Sequence, residues 1–326
     1  MTEQRYLVTG AAGFIGSNLC RRLLRDGNSV TGLDSFTDYY PRWVKDKNLD
    51  DLKGRERFQL LEQDINETDC RRLLERHDIV FHLAAQAGVR GSWGSSFTAY
   101  TRYNIEATQR LLEAAKSAPL KKFLYASSSS VYGSCPDLPM SEQSRLYPYS
   151  PYGVSKLAAE HLCSLYFRNY GVPTSSFRFF TVYGPGQRPD MAFHKFLKSV
   201  LEERPLTVFG DGSQTRDFTY IDDIVEGLIS AVSRSRPGEI YNLGGGNRKK
   251  LFDVFPILEK ICKKELRLQS QPRQKGDVTD TYADIRKSRE HLGFAPQTSL
   301  QEGLELEWKW VRKLYASDEN KSTYKA

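Results

Sequence analysis

The chain has 326 residues, 39% of them apolar, 27% charged and 12% aromatic, with 24 Gly and 14 Pro. That length suits one large α/β body or two domains around a substantial core, and the balance excludes a disordered chain, a collagen and a coiled coil. The 47 basic and 40 acidic residues behind the net charge of +7 interleave, with only short basic clusters at Arg248-Lys249-Lys250 and Lys263-Lys264. This pattern argues against a nucleic-acid face and suits mild steering of a small anion.

From the N-terminus, Arg5–Thr9 reads as a strand, Phe14–Arg25 as a helix and Ser29–Leu33 as a second strand. Strand-like runs recur at Phe58–Leu61, Ile79–Leu83 and Phe123–Ala126, with helical patterns near Glu67–Arg76 and Thr98–Lys116 between them. A long helix over Tyr152–Tyr170 and a strand over Thr174–Phe180 complete the series. Strand-helix alternation of this kind predicts an α/β fold with a doubly wound parallel sheet. After Thr181 turns become denser, which predicts a smaller mixed lobe from residues 181–216 and 241–314, with 217–240 returning to the sheet. Residues 315–326 are polar and without period, so fraying is expected there. No apolar run approaches the roughly 18 residues of a membrane span, so no membrane partner is expected. The start lacks a signal-peptide pattern, and Cys20, Cys70, Cys135, Cys163 and Cys262 form no CxxC spacing. A cytoplasmic location and no metal are expected.

Gly10-Ala-Ala-Gly13-Phe14-Ile15-Gly16 joins the first strand to the first helix. Gly10 permits a tight turn, Gly13 lets the backbone approach a pyrophosphate, and Gly16 lets helix pack on strand. Asp34 ends the second strand, where a carboxylate accepts from the adenosine ribose hydroxyls and repels a 2′-phosphate. Ser35-Phe36 supplies no neighbouring cation, so NAD is expected over NADP.

Tyr152 and Lys156 stand four apart on one helix, hence on one face. A free tyrosine titrates near pH ~10, and an adjacent ammonium would lower that value enough for the phenol to act as a base. Ser127-Ser128-Ser129-Ser130 follows a strand at the carboxyl edge of the sheet, which faces the ligand crevice in such folds.

Together these residues resemble an extended short-chain dehydrogenase/reductase of the nucleotide-sugar epimerase/dehydratase group. The likeness spans about residues 5–314 and is carried by TGAAGFIG, Asp34, Asp64-Ile65, His82-Leu83-Ala84-Ala85, Asn104, SSSSVYG, YGVSK, Arg178-Phe179-Phe180, GDGSQTRDF and the KGDV stretch. It implies a Rossmann domain for NAD over residues 1–180 plus about 217–240, a nucleotide-sugar lobe beyond it, and a homodimer formed by the helices near 98–117 and 152–170. In such a protein Tyr152 is the base, Lys156 its ribose-binding partner and Ser128 the hydroxyl on the sugar O4. Asp64 and Ile65 meet the adenine, Leu83, Ala84 and Ala85 line the pyrophosphate and ribose, and Asn104 belongs to the cofactor site. Arg216 meets the substrate diphosphate, and Arg273 and Asp277 lie near the nucleoside. The family's arginine three residues before that aspartate is Gln274 here.

Related dehydratases carry an Asp-Glu pair just before VYG, and related decarboxylases a Glu. This chain has Ser129 and Ser130 there, and no such acid or base. Epimerisation at C4 needs neither, so a UDP-sugar 4-epimerase is the expectation. YGPGQRPDMAF and AQAGVR resemble the subgroup that acts on UDP-glucuronate, with Thr181, Arg188 and Arg90 at the sugar. Arg188 would offer a fork of donors to the C6 carboxylate, or would pair with Asp190 as a loop residue. A UDP-glucose/UDP-galactose (or N-acetylhexosamine) 4-epimerase and a non-catalytic NAD-binding regulator are the alternatives.

Overall fold

The computed structural model describes residues 4–245 and 248–316. Strands β1 (Arg5–Thr9), β2 (Ser29–Asp34), β3 (Phe58–Glu62), β4 (Ile79–His82), β5 (Lys122–Ser128) and β6 (Thr174–Phe179) come first in the chain. They are followed by β7 (Thr181–Tyr183), β8 (Leu206–Phe209), β9 (Thr215–Tyr220), β10 (Ile240–Leu243), β11 (Arg248–Lys250) and β12 (Leu268–Gln271). Seven of them form one sheet in the order β10-β6-β5-β4-β1-β2-β3, and every pairing in it is parallel. The strand order reverses between β1 and β4, and ligands bind outside the carboxyl ends at such a switch point.

Alternation along the strands feeds a core on each face. Leu7, Val80, Phe123 and Tyr125 enter one buried cluster, while Val8, Phe81 and Leu124 enter the other. Both faces are therefore covered by helices, as a parallel sheet requires. The helix Pro151–Tyr170 shows how local chemistry sets an element. Ser150 caps it by accepting from the Gly153 amide at 3.1 Å, proline opens it, and Gly171 ends it in the left-handed region at φ 70°.

Several elements differ from the sequence expectation. Residues 217–220 lie in β9, which pairs with β7 and β11 in a small three-stranded sheet. The return to the large sheet is made by β10, so residues 241–243, expected in the lobe, belong to the sheet. The helix expected over 67–76 is only Cys70–Leu74, because Asp69 caps it by accepting from the Arg72 amide. The long helix beginning near residue 98 contains a π-helical segment, Thr101–Glu106. Arg42–Leu49 forms a helix that hydrophobic period did not reveal, since it is largely polar. Of the tail expected to fray, Tyr315 is docked against Trp43, with ring centroids 5.9 Å apart, and residues 317–326 lie outside the described residues.

Candidate active site

The phosphate-binding turn has no room for side chains. A Cβ on Gly16 would sit 2.1 Å from the Gly10 carbonyl oxygen, and Gly10 itself adopts φ +71°, where a Cβ would lie 2.9 Å from the Ala84 amide. Gly13 N-caps the helix Phe14–Arg25, with no side chain bonded over the helix amides. A dinucleotide pyrophosphate fits such a cradle, because free amides and bare backbone face it.

At the end of β2, Asp34 accepts from the amides of Ala12 at 3.1 Å and Phe36 at 2.8 Å, which fixes the carboxylate. The sequence offered no cation there, but the fold supplies one. Lys45 Nζ lies 3.6 Å from Asp34 and donates to the Thr37 carbonyl at 3.0 Å. Both side chains are buried, so the ammonium compensates the carboxylate without displacing it.

A cavity of about 630 Å³ takes in Asp34 and Lys45. Asp34, Asp64 and Ile65 line it, as do Gly10, Gly13, Phe14, Ile15 and Gly16 with Leu83, Ala84 and Ala85. Ser128, Ser129, Ser130, Tyr152, Lys156, Thr181 and Arg188 line the same cavity, with Arg90, Arg216 and Asp277. Residues separated by as much as 267 positions in the chain (Gly10 and Asp277) thus share one cleft.

Two candidates lie elsewhere. Asn104 is fully buried in the π-helical segment, where its side-chain amide donates to the Gln86 carbonyl at 3.0 Å and Ser155 Oγ at 2.8 Å. Its oxygen accepts from the Gln86 amide at 2.7 Å, so it braces the cavity wall without lining it. Arg273 is exposed and donates to the Asp277 carbonyl at 2.9 Å and Thr279 Oγ1 at 2.7 Å. Gln274 turns back on the Pro272 carbonyl.

Burial pushes the Tyr152 phenol up, while a hydrogen bond with Ser128 and the charge of Arg188 pull it down; Asp190 pushes it up again. Lys156 was expected to do the lowering. Its ammonium instead lies 4.5 Å from the Tyr125 ring centroid, and burial lowers its own pKa to about 7. The folded chain thus binds the Lys156 proton more weakly than the unfolded chain does. The cost of charging it is present in full below about pH 7 and is relieved as pH rises toward the unfolded value of about 10.5. Cofactor-free protein should therefore gain stability between these limits. Lys156→Met should remove that part of the gain; chemical unfolding of both proteins at several pH values gives the comparison, and parallel profiles would refute it.

Behind Ser128, a buried network joins the strands to the helix Pro151–Tyr170. Ser127 Oγ donates to Glu160 at 2.6 Å, and Arg178 forks onto the same carboxylate at 2.6 and 3.0 Å. Arg178 also donates to the Tyr132 hydroxyl, which donates in turn to Asn242 at 2.7 Å. Removing one partner of such a pair strands a buried charge, at a cost of about 3–5 kcal/mol.

Arg188 donates through Nε and Nη2 to both oxygens of Asp190, at 2.9 and 3.0 Å, and Tyr39 donates to the same carboxylate at 3.2 Å. Of the five guanidinium donors, three remain. Arg188 is therefore both paired with Asp190 and part of the cavity wall. Arg90 pairs with Asp277 at 2.8 Å and covers the Phe209 ring. Arg216 is anchored by three main-chain carbonyls, those of Thr215, Val278 and Thr279. Sequence reasoning missed Lys45, Tyr39 and the aromatic support from Phe209, none of which stands in a motif.

A doubly wound parallel sheet with a glycine cradle at its switch point, and a Ser-Tyr-Lys set on the same cleft, defines a short-chain dehydrogenase/reductase. The chain belongs to the NAD dependent epimerase/dehydratase family, whose model matches residues 6–244. The chain is similar to the UDP-glucuronic acid 4-epimerase of Bacillus cereus, solved in complex with UDP-glucuronic acid and NAD. The two are 46% identical with a TM-score of 0.93, over 95% of this chain and 100% of that one. It is 41% identical to a UDP-glucuronate 4-epimerase of Thermodesulfobacterium geofontis (strain OPF15), covering 94% of this chain and 96% of the relative. It is also 45% identical to YtcB of Bacillus subtilis (strain 168), described as an uncharacterized UDP-glucose epimerase, covering 96% of this chain and all of that one.

Proposed function

We propose that this enzyme interconverts UDP-glucuronate and UDP-galacturonate by epimerisation at C4, with NAD as its resident cofactor. The observation that carries the substrate is Arg188, whose guanidinium lines the cavity and whose charge reaches the Tyr152 phenol. NAD, when bound over the glycine cradle, supplies the acceptor and donor of hydride at C4. Tyr152 takes the O4 proton and later gives it back, and Ser128 holds that oxygen through its hydroxyl. The 4-keto sugar formed between these steps turns over in the cleft and presents its other face. Such an intermediate from a uronate is a β-keto acid, which loses CO₂ when its carboxylate aligns with the carbonyl π system. The three free donors of Arg188 would hold that carboxylate out of line. The carboxylate acting on the phenol is Asp190, and it is occupied by Arg188 and Tyr39.

Pairing of Arg188 with Asp190 lends a neutral sugar, UDP-glucose, some support as the second reading. Incubation of purified protein with UDP-glucuronate, UDP-glucose and UDP-N-acetylglucosamine, followed by NMR, separates the two. The 4-epimer of UDP-glucuronate is expected to form fastest, and its absence would sink the reading.

We assign residues up to about 180, with the helix Ile221–Arg234 and β10, to the cofactor, and most of the remainder to the nucleotide sugar. Five free thiols suit a reducing compartment, and we assign the protein to the cytoplasm. We also propose a homodimer through the helix Pro151–Tyr170, on which Val154, Leu165 and Tyr170 are exposed apolar residues. Leu165→Glu should convert dimer to monomer in light scattering; a wild type already monomeric at micromolar concentration would refute this.

A further inference from the structure

Arg188 sits on a loop, so its position depends on what holds that loop. Asn18 donates to the Pro185 carbonyl at 3.0 Å, which ties the loop to the first helix. Glu307, on the C-terminal helix Leu300–Leu314, accepts from the Gly184 amide at 2.9 Å. The residue next to Arg188 is held most closely. Gln187 donates from its side chain to the Val182 carbonyl at 3.2 Å and accepts from the His194 amide at 2.9 Å. Its main-chain carbonyl lies 2.6 Å from His194 Nδ1.

That last contact fixes the imidazole. A carbonyl only accepts, so Nδ1 carries the hydrogen and Nε2 presents a lone pair. The Tyr315 hydroxyl lies 2.8 Å from Nε2 and is therefore the donor. Tyr315 also packs edge-on against Trp43, on the helix whose Lys45 faces Asp34, and beneath Lys198, 4.9 Å from its ring centroid. One side chain just after the helix Leu300–Leu314 thus touches the cofactor side of the fold and, through His194, the backbone that carries Arg188.

We infer that Tyr315 and His194 are positioning residues that hold Gln187 and hence Arg188, and so set the discrimination between acidic and neutral UDP-sugars. The inference rests on the proposed reading of Arg188 as the contact for the uronate carboxylate. The Tyr315 hydroxyl is too far along the relay to touch the sugar itself; its effect is on where the guanidinium stands. Small displacements of a positioning group cost large factors in rate.

Tyr315→Phe removes the donor and keeps the ring. The measurements are kcat/KM for UDP-glucuronate, the inhibition constant of UDP-glucose as competitor, and the share of UDP-pentose among the products. The variant should lose roughly tenfold in kcat/KM for UDP-glucuronate, about the worth of one hydrogen bond, with UDP-glucose binding unchanged. Its UDP-pentose share should rise, a readout that does not depend on the fraction of protein folded. Combined with Arg188→Ala, it should add no further loss of discrimination, since both act through one guanidinium. An unchanged discrimination and pentose share in Tyr315→Phe, or losses that add in the double variant, would overturn the inference while the wild type still epimerises UDP-glucuronate. A wild type inert on UDP-glucuronate would overturn the substrate reading itself, and this inference with it.

Discussion

Tyr152→Phe should lower kcat by roughly 10²- to 10⁴-fold, the usual worth of a positioned general base, while leaving UDP-sugar affinity near that of the wild type. The phenol is half-buried and pushed up by desolvation, and a hydrogen bond with Ser128 and the Arg188 charge oppose that push. Removing the hydroxyl deletes the base and the partner of Ser128 together. It deletes almost no volume, and the ring keeps its edge contact with Tyr100, whose centroid is 6.2 Å away. The fold should therefore be unaltered in circular dichroism. Steady-state rates with binding measured separately by calorimetry give the test. Turnover within a few-fold of wild type would take Tyr152 out of the mechanism.

Arg188→Ala should cost about 2–5 kcal/mol in transition-state binding of UDP-glucuronate, or roughly 30- to 4000-fold in kcat/KM. Two effects combine in that figure. The C6 carboxylate loses its donors, and Asp190, no longer neutralised, faces it as a like charge. A smaller loss should be common to every sugar, because the guanidinium also pulls the Tyr152 phenol down and Asp190 pushes it up. Without Arg188 the phenol rises, so its ionised form appears only at higher pH. The pH optimum of kcat should move in the alkaline direction for UDP-glucose and UDP-glucuronate alike. Beyond that shared shift, only the acidic sugar should suffer, and a trace of UDP-pentose and CO₂ should accompany its epimer. Equal losses on acidic and neutral sugars at all pH values would instead make Arg188 a structural residue of the loop.

What the sequence by itself determined is the part written in short-range spacing. Glycines three apart, an acid at a strand end and a Tyr-Lys pair one helical turn apart are local facts of the backbone. They pointed to the glycine turn after β1, the helix that carries Tyr152 and the parallel sheet without reference to distant residues. The serines before Val131 were equally legible, because a missing carboxylate needs no partner to be noticed. Tertiary structure decided which charges distant in the chain meet. Lys45 reaches Asp34 only because a polar helix without a clear apolar face folds over the end of β2. Arg90 finds Asp277 across 187 positions of chain, and Asn104 turns inward to brace Gln86 and Ser155. Arg188 illustrates the boundary best. Its pairing with Asp190 spans two residues and was open to sequence reasoning, whereas its approach to Tyr152 required the lobe to fold back over the sheet. Side-chain charges act through space over several ångströms, and the sequence orders residues only along the chain.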